Sequence, residues 1–482
     1  MSLDSKDIDV AAPAPGDELI KQFMDIVGPA NAIVDAETME PYLVEQRKLY
    51  TGKAALVLRP GTTQEVSDIL KLAHATGTII VPQGGNTGLV GAQIPFTSGN
   101  EIVLQLGRMN KVLELDLESN AITVEAGAVL QTIQQTADDN DRLFPLSLGS
   151  EGTCQIGGNL STNAGGTAVL HYGSIRDLVL GLEVVMADGT IWNGLRKLRK
   201  DNTGYDLKHL FIGAEGTLGI ITGAVLKLSP KPKTMVAAFV GLQSISHALT
   251  LLDMCFSDAG GVTSFEFLPR YALEIALKHG QGARDPLDQP HPWYLLIELS
   301  SSEADDVVRE RLVEVLGQAI ERNLISDATI SASESQRASF WQIRTLISEV
   351  QKHEGASIKN DIAVPVSAIP DFLHRADAAV LAMVPDARIC AFGHLGDGNV
   401  HYNISQPVEM DGQEFLKLWD EMTDDINKVV LDLGGTISAE HGIGRMKRHH
   451  MAHIKSSTEL EMMRSIKQLF DPTNILNPGK LL

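Results

Sequence analysis

Pro82-Gln83-Gly84-Gly85-Asn86-Thr87-Gly88 follows directly on the apolar run Thr78-Ile79-Ile80-Val81. An apolar strand that runs into a loop with little side-chain bulk lets backbone N–H groups approach an anion. Upstream, Leu56-Val57-Leu58 reads as another strand, ending at Arg59-Pro60-Gly61. Thr62 then opens a capping box with Glu65; Val66, Ile69, Leu70 and Ala73 recur at helical spacing, and Gly77 ends the helix. The order is strand, helix, strand, loop. The loop falls at the carboxyl end of a strand, where α/β proteins bind ligands.

Taken alone the loop could be an ordinary turn. It is not a Walker A sequence, because no Gly-Lys-Ser/Thr follows, and no helix starts in register for a dinucleotide fingerprint. Two further stretches change the balance. One runs Leu148-Gly149-Ser150-Glu151-Gly152-Thr153, Gly157-Gly158-Asn159, Ser161-Thr162-Asn163-Ala164-Gly165-Gly166; the other is Gly213-Ala214-Glu215-Gly216-Thr217-Leu218-Gly219. Small residues in the first are too dense for a packed helix and suit backbone wrapped round a large planar ligand. Short strands surround them: Ile102–Leu106, Val112–Leu115, Ala121–Glu125, Gly181–Met186 and Ile220–Leu228, with a helix around Val129–Asn140.

Ser229-Pro230-Lys231-Pro232-Lys233 reads as a domain junction. Beyond it an α+β pattern predicts strands Met235–Leu242, Thr263–Phe267 and Trp293–Leu299, and helices Ser244–Ser257, Glu303–Asn323 and Ser335–His353. Phe415, Trp419, Met422, Ile426, Val429, Val430 and Leu433 make an amphipathic helix stopped by Gly434-Gly435. A helix Ser457–Phe470 precedes the tail Asp471–Lys480. The expected organisation is a leader and helical region over 1–50, a ligand-binding domain over 51–230, a substrate-binding cap over 231–433, and a C-terminal segment over 434–482 that returns to the ligand site.

Bulk properties narrow the function. A chain of 482 residues suggests two or three domains. No apolar run reaches the roughly 18–20 residues of a membrane span. Met1–Asp17 is acidic, with neither a basic region nor an apolar core, and reads as a disordered leader rather than a signal or transit peptide. A net charge of −21 argues against nucleic acid and requires a locally basic pocket for any anionic substrate. Three widely spaced cysteines, Cys154, Cys255 and Cys390, fit a reducing compartment, and a cytoplasmic location is expected.

Three groups of residues can do chemistry. His394-Leu395-Gly396-Asp397-Gly398-Asn399-Val400-His401-Tyr402-Asn403 reads as a hairpin that sets His394 near His401, with His401 and Asn403 on one face. Ser438-Ala439-Glu440-His441-Gly442-Ile443-Gly444-Arg445 puts a carboxylate beside an imidazole between glycines. Two imidazoles and Glu440 would make a three-ligand metal site with an open position, although the spacing matches no standard zinc signature and a hydrogen-bonded polar turn is the plain alternative. Arg344 and Ser348 lie four apart on one helix face, and Lys359 sits on the next strand beside Asp361. They are either solvated or a carboxylate clamp.

Together these motifs, with Asn477-Pro478-Gly479-Lys480, resemble the FAD-linked oxidoreductases of the vanillyl-alcohol-oxidase type. Within them they resemble the D-2-hydroxyacid dehydrogenase branch, and the D-2-hydroxyglutarate dehydrogenases in particular. The resemblance runs in order from Leu56 to Lys480. It implies an α+β fold: a two-subdomain FAD-binding domain, an α+β cap, and a tail returning to the FAD domain. It implies that FAD is held by Pro82, Gly84, Gly85, Asn86, Thr87 and Gly88; by Leu148, Gly149, Ser150, Thr153, Gly157, Gly158, Asn159, Ser161, Thr162 and Asn163; and by Glu215, Gly216, Gly219, Ile220, Ile221 and Asn477. The FAD is expected to be noncovalent, because the first loop lacks the histidine through which some members link it. The resemblance further implies a divalent metal, usually zinc, on His394, His401 and Glu440. It places Asn403 and His441 beside the substrate hydroxyl, with His441 as base, and Arg344, Ser348 and Lys359 on the far carboxylate. D-lactate and D-malate are the related substrates. An electron acceptor such as an electron-transfer flavoprotein or a quinone, and a homodimer, are implied as well. Readings from other classes are a metal-dependent hydrolase and a nonenzymatic nucleotide-binding module.

Overall fold

In this computed structural model the described residues are 14–482, so most of the expected leader lies outside them. The chain divides into two compact units. One takes the described residues up to Gly165, with Ser174–Lys231 and Glu440–Leu482; the other takes Gly166–Gly173 and Pro232–Ala439.

The first unit begins with a four-stranded sheet in the order β1 (Ala32–Ile33), β2 (Leu56–Leu58), β4 (Ile102–Gln105), β3 (Ile80–Gln83). The last three strands are parallel, joined through the helix Thr63–Thr76. That helix buries Val66, Ile69, Leu70 and Ala73, the positions its periodicity predicts. Thr62 accepts the Glu65 N–H, but the Glu65 carboxylate accepts from Gly61 N at 2.7 Å, so the box closes one residue early. β3 begins two residues later than the apolar run suggests. Gly77 ends the helix in the left-handed region and the Thr78 N–H is spent on Ala73 O, which keeps the first residues of the run out of the sheet.

A second, antiparallel sheet follows in the order β5 (Val112–Asp116), β6 (Ala121–Glu125), β10 (Ile220–Lys227), β8 (Val179–Val185), β9 (Ile191–Gly194). A short ribbon pairs β7 (Arg142–Leu143) with β11 (Ser229–Pro230). One expectation is corrected here: the dense small residues of Ile156–Thr162 form a helix. Gly157 needs its missing side chain, because a Cβ would lie 2.8 Å from Ala126 Cβ, so the helix packs directly on the chain after β6. Asn163 stops it in the left-handed region.

The second unit is one seven-stranded antiparallel sheet: β15 (Asp327–Ile330), β12 (Thr234–Leu242), β14 (Trp293–Ser301), β13 (Val262–Pro269), β17 (Arg388–His394), β18 (Asn399–Ser405), β16 (Ser357–Ala363). Alternation sorts its residues onto two faces. Val236, Ala238, Val400, Tyr402 and Ile404 pack in a large core with the helices Asp305–Glu321, Ile369–Met383 and Trp419–Asp432. Ala237, Phe239, Cys390 and Phe392 pack on the opposite face against Arg270–His279 and Glu334–Val350. The helix expected to run continuously from Phe415 breaks at Lys417-Leu418 into Gly412–Leu416 and Trp419–Asp432, which lets Phe415 bury completely. Among the described residues no helix is long and apolar enough to cross a membrane. The three thiols are buried and unpaired; burial pushes those of Cys255 and Cys390 up to about 12, so neither is reactive at neutral pH.

Candidate active site

In the second unit the polar residues gather at one end of the sheet, on the face away from the large core. Register sets Asp361 opposite His401, His401 opposite Phe392, and Lys359 opposite Asn403; Glu266 on β13 stands opposite His394. The hairpin turn lets the His394 and His401 rings meet edge to face, with centroids 5.4 Å apart. Gly398 makes the turn at φ +88, where a Cβ would strike Val364 O. Asp361 is buried and accepts from Asn399 Nδ2 at 3.0 Å, with His401 Nδ1 3.8 Å away.

Glu266 organises this end, and it was not singled out from the sequence. It is fully buried; one carboxylate oxygen lies 2.7 Å from His394 Nδ1, and the other accepts from Arg344 Nε at 2.8 Å. Burial would raise this carboxyl, but the imidazole and guanidinium outweigh that and hold it below its usual range. An imidazole whose Nδ1 is held by a carboxylate presents Nε2 outward, the arrangement of a metal-bound histidine. The signal was visible: Glu266 is a lone charge in the apolar strand Val262–Pro269.

Arg344 is 7% exposed, and its guanidinium carbon stands 4.7 Å from the Phe392 ring centroid. Among the described residues its terminal nitrogens have no hydrogen-bond acceptor. Ser348, one turn on, is exposed, and Lys359 is half-buried. Asn403 donates to Gln351 Oε1 at 2.9 Å, and Gln351, fully buried, donates to Ser405.

In the first unit the Gly84–Gly88 loop leaves the carboxyl end of β3 and lies against the Leu148–Thr153 segment. A Cβ on Gly85 would sit 2.2 Å from Thr153 O, whereas Gly149 and Gly158 face open space. Asn86, at φ +55, donates to Pro41 O and Val44 O, and Thr87 and Gly88 continue the turn. Pro82 on β3 packs under Gly216, where a Cβ would approach Pro82 Cγ to 2.3 Å. Gln155 Oε1 and Asn159 Oδ1 are buried without a partner, as acceptors built for a bound group would be. Ser161 and Thr162 turn their hydroxyls back onto the carbonyls of Gly157 and Gly158. Gly219 packs on Phe211, and Ile220 and Ile221 begin β10, both buried. Open glycine backbone beside orphaned acceptors fits a large polar cofactor such as FAD.

The tail returns to this unit. Asp471 accepts the N–H groups of Ile475 and Leu476, Leu476 pairs with Ile80 on β3, and Asn477 Nδ2 donates to Ala92 O and Glu215 O. Glu440 and His441 lie half-buried at the start of the irregular segment before Gly442.

Comparison with known proteins gives the class. Residues 54–194 match the FAD binding domain, and residues 231–481 match the C-terminal domain of the FAD linked oxidases. The chain belongs to the FAD-linked oxidases, and it is an FAD-linked dehydrogenase with the two-domain fold of the vanillyl-alcohol-oxidase type. Its branch is that of the D-2-hydroxyglutarate dehydrogenases. It is 39% identical to "D-2-hydroxyglutarate dehydrogenase, mitochondrial" of Arabidopsis thaliana over 100% of this chain and 82% of that one. To the protein of the same name from Danio rerio it is 38% identical, over 95% of this chain and 84% of that one. Among solved structures, p-cresol methylhydroxylase with substrate bound has a TM-score of 0.76 at 15% identity, covering 96% of each chain. The hydrolase and bare nucleotide-binding readings lose their support. The expected cytoplasmic location is corrected as well, since both relatives are named mitochondrial. Three unpaired thiols do not identify a compartment.

The FAD is expected to be noncovalent, since the Gly84–Gly88 loop offers no histidine or cysteine to carry a link. Acid precipitation should therefore leave all yellow colour in the supernatant, and colour in the pellet would refute this.

Proposed function

We propose that this chain oxidises D-2-hydroxyglutarate to 2-oxoglutarate. The observation that carries the choice of a dicarboxylate is Arg344. A buried guanidinium, held at Nε by Glu266 with its terminal nitrogens unmatched, suits a desolvated carboxylate in a protein of net charge −21. Lys359 and the Ser348 hydroxyl complete the grip on the far carboxylate. Asn403 lies at the hydroxyl end, and His441 takes the hydroxyl proton as general base. When bound, FAD supplies the acceptor for the hydride that leaves C2. His394, His401 and Glu440 would hold a divalent metal, for which zinc suits the donor set, supplying a Lewis acid at the 2-hydroxyl. The Glu266–His394 contact supports that role. A homodimer, and an electron-transfer flavoprotein or quinone as electron acceptor, belong to the same reading by family resemblance.

The test is substrate discrimination. Arg344→Ala is expected to cost ~2–4 kcal/mol in kcat/KM on D-2-hydroxyglutarate, about 30- to 1,000-fold. It should cost much less on D-lactate, with D-malate between. Because the change also leaves Glu266 with His394 alone, Arg344→Lys is the companion: it keeps the charge and loses the planar fork. Equal losses on all three substrates would put Arg344 at the shared hydroxyacid end, and a wild-type preference for D-lactate would overturn the dicarboxylate assignment.

A further inference from the structure

Glu215 is a non-glycine residue in the left-handed region, at φ +51, and it is 5% exposed. Its carboxylate accepts two successive backbone N–H groups, Ile443 N at 2.7 Å and Gly444 N at 2.8 Å. Successive amides with a left-handed residue, here Gly444 at φ +51, form a concavity that binds anions. In this chain a side chain of the protein fills it. The fit is close: a Cβ on Gly442 would lie 2.7 Å from Glu215 Oε1.

The backbone of Glu215 is tied to two other segments of the same unit. Its N–H donates to Ser161 O at 2.7 Å, and its carbonyl accepts from Asn477 Nδ2 at 2.9 Å. One residue therefore joins the Gly-rich helix, the returning tail and the segment that begins Glu440-His441. That segment has no regular structure to fix it. From the far side it is held by Val90 O, which accepts from Arg445 N, and by the Arg445 guanidinium, which stacks on Tyr50 and Phe96. The carboxylate of Glu215 is thus spent on protein amides.

We propose that Glu215 is the positioning residue for His441, setting the Glu440–Arg445 segment through the Ile443 and Gly444 amides. This deepens the proposed function and rests on His441 as base. The latch needs the ionised carboxylate, because each oxygen takes one amide and protonating either oxygen turns it into a hydroxyl that accepts poorly. Burial pushes this carboxyl up to about 7, against the opposing pull of the two amides and of Lys447, three residues past Gly444. Ser161, Pro82 and Asn477 are uncharged; the cations on the packed elements are Lys467, which donates to Thr217 O, and Lys480, which donates to Asn477 Oδ1, and Glu440 and His441 are the titratable groups of the segment itself. The grip should therefore be nearly full by about pH 8 and relax as pH falls through 7.

Hydrogen exchange on the FAD-loaded protein reads this directly, without catalysis. After correction for intrinsic rates, protection of peptides spanning Ile443 and Gly444 should rise between pH 6 and 8, as the ionised fraction goes from about a tenth to about nine tenths. In Glu215→Gln protection should be low and flat with pH, because an amide has one acceptor oxygen and turns N–H groups toward the other donor. FAD content should hold, while kcat for D-2-hydroxyglutarate falls ~10–100-fold, the cost of a misplaced catalytic group. Glu215→Asp, which keeps the charge, should retain the pH dependence. Protection of these peptides in Glu215→Gln equal to that of the wild type overturns the proposal. Loss of protection in Glu215→Gln with full kcat overturns it too, if His441→Asn is inactive. A fully active His441→Asn overturns the base assignment on which the proposal rests.

Discussion

Chelation that removes all divalent metal is expected to abolish D-2-hydroxyacid oxidation while the flavin spectrum persists. His394 and His401 belong to the unit built on the seven-stranded sheet, and Glu440, although in the other unit, lies outside its Gly-rich loops. Losing an ion from the histidines leaves those loops intact. His394→Ala should reproduce chelation. Glu266→Gln should weaken metal binding ~10–100-fold, the usual cost of losing the carboxylate behind a metal-bound imidazole. Metal affinity, measured by competition with a chromophoric chelator, tests this apart from turnover. A metal-free sample that keeps its activity would remove the metal from the mechanism.

The second large effect is expected at His441. His441→Ala should slow anaerobic flavin bleaching by D-2-hydroxyglutarate ~10²–10⁴-fold, the range of a lost general base. FAD content and substrate affinity should change little. A base works deprotonated, so the wild-type rate should fall as pH falls. Added imidazole should restore part of the rate at His441→Ala by occupying the space left. Bleaching at the wild-type rate would assign the proton to another group.

Most strands and helices were legible where apolar spacing was regular, the helix expected from Phe415 and the start of β3 excepted. Ala121–Glu125 and Ser457–Phe470 stand where periodicity puts them. Composition misled at Ile156–Thr162, where the glycines serve close helix packing rather than an open loop. The order of strands across the sheets was not legible. Pairing of Glu266 with His394 joins residues 128 positions apart, and no local pattern encodes it. The same gap hid Glu266 as an organiser: its charge was visible, but its two partners come from β17 and a distant helix. Arg344 and Ser348 share a helix by spacing, as read, but one is buried and the other exposed, which spacing alone does not decide. The roles given to these residues came from resemblance, because side-chain chemistry names candidates without naming neighbours.

The return of the tail to β3 bears on how the protein is made. Asn477 bonds to Ala92 across 385 positions, and Leu476 extends the sheet beside Ile80. A ribosome releases the seven-stranded unit almost whole before it supplies the residues that complete the first. Contacts of such long range close slowly and late. Until they form, β3 lacks the bridge from Leu476 to Ile80. A nascent chain stalled before Leu476 lacks the segment that bridges to Ile80 and bonds to Ala92.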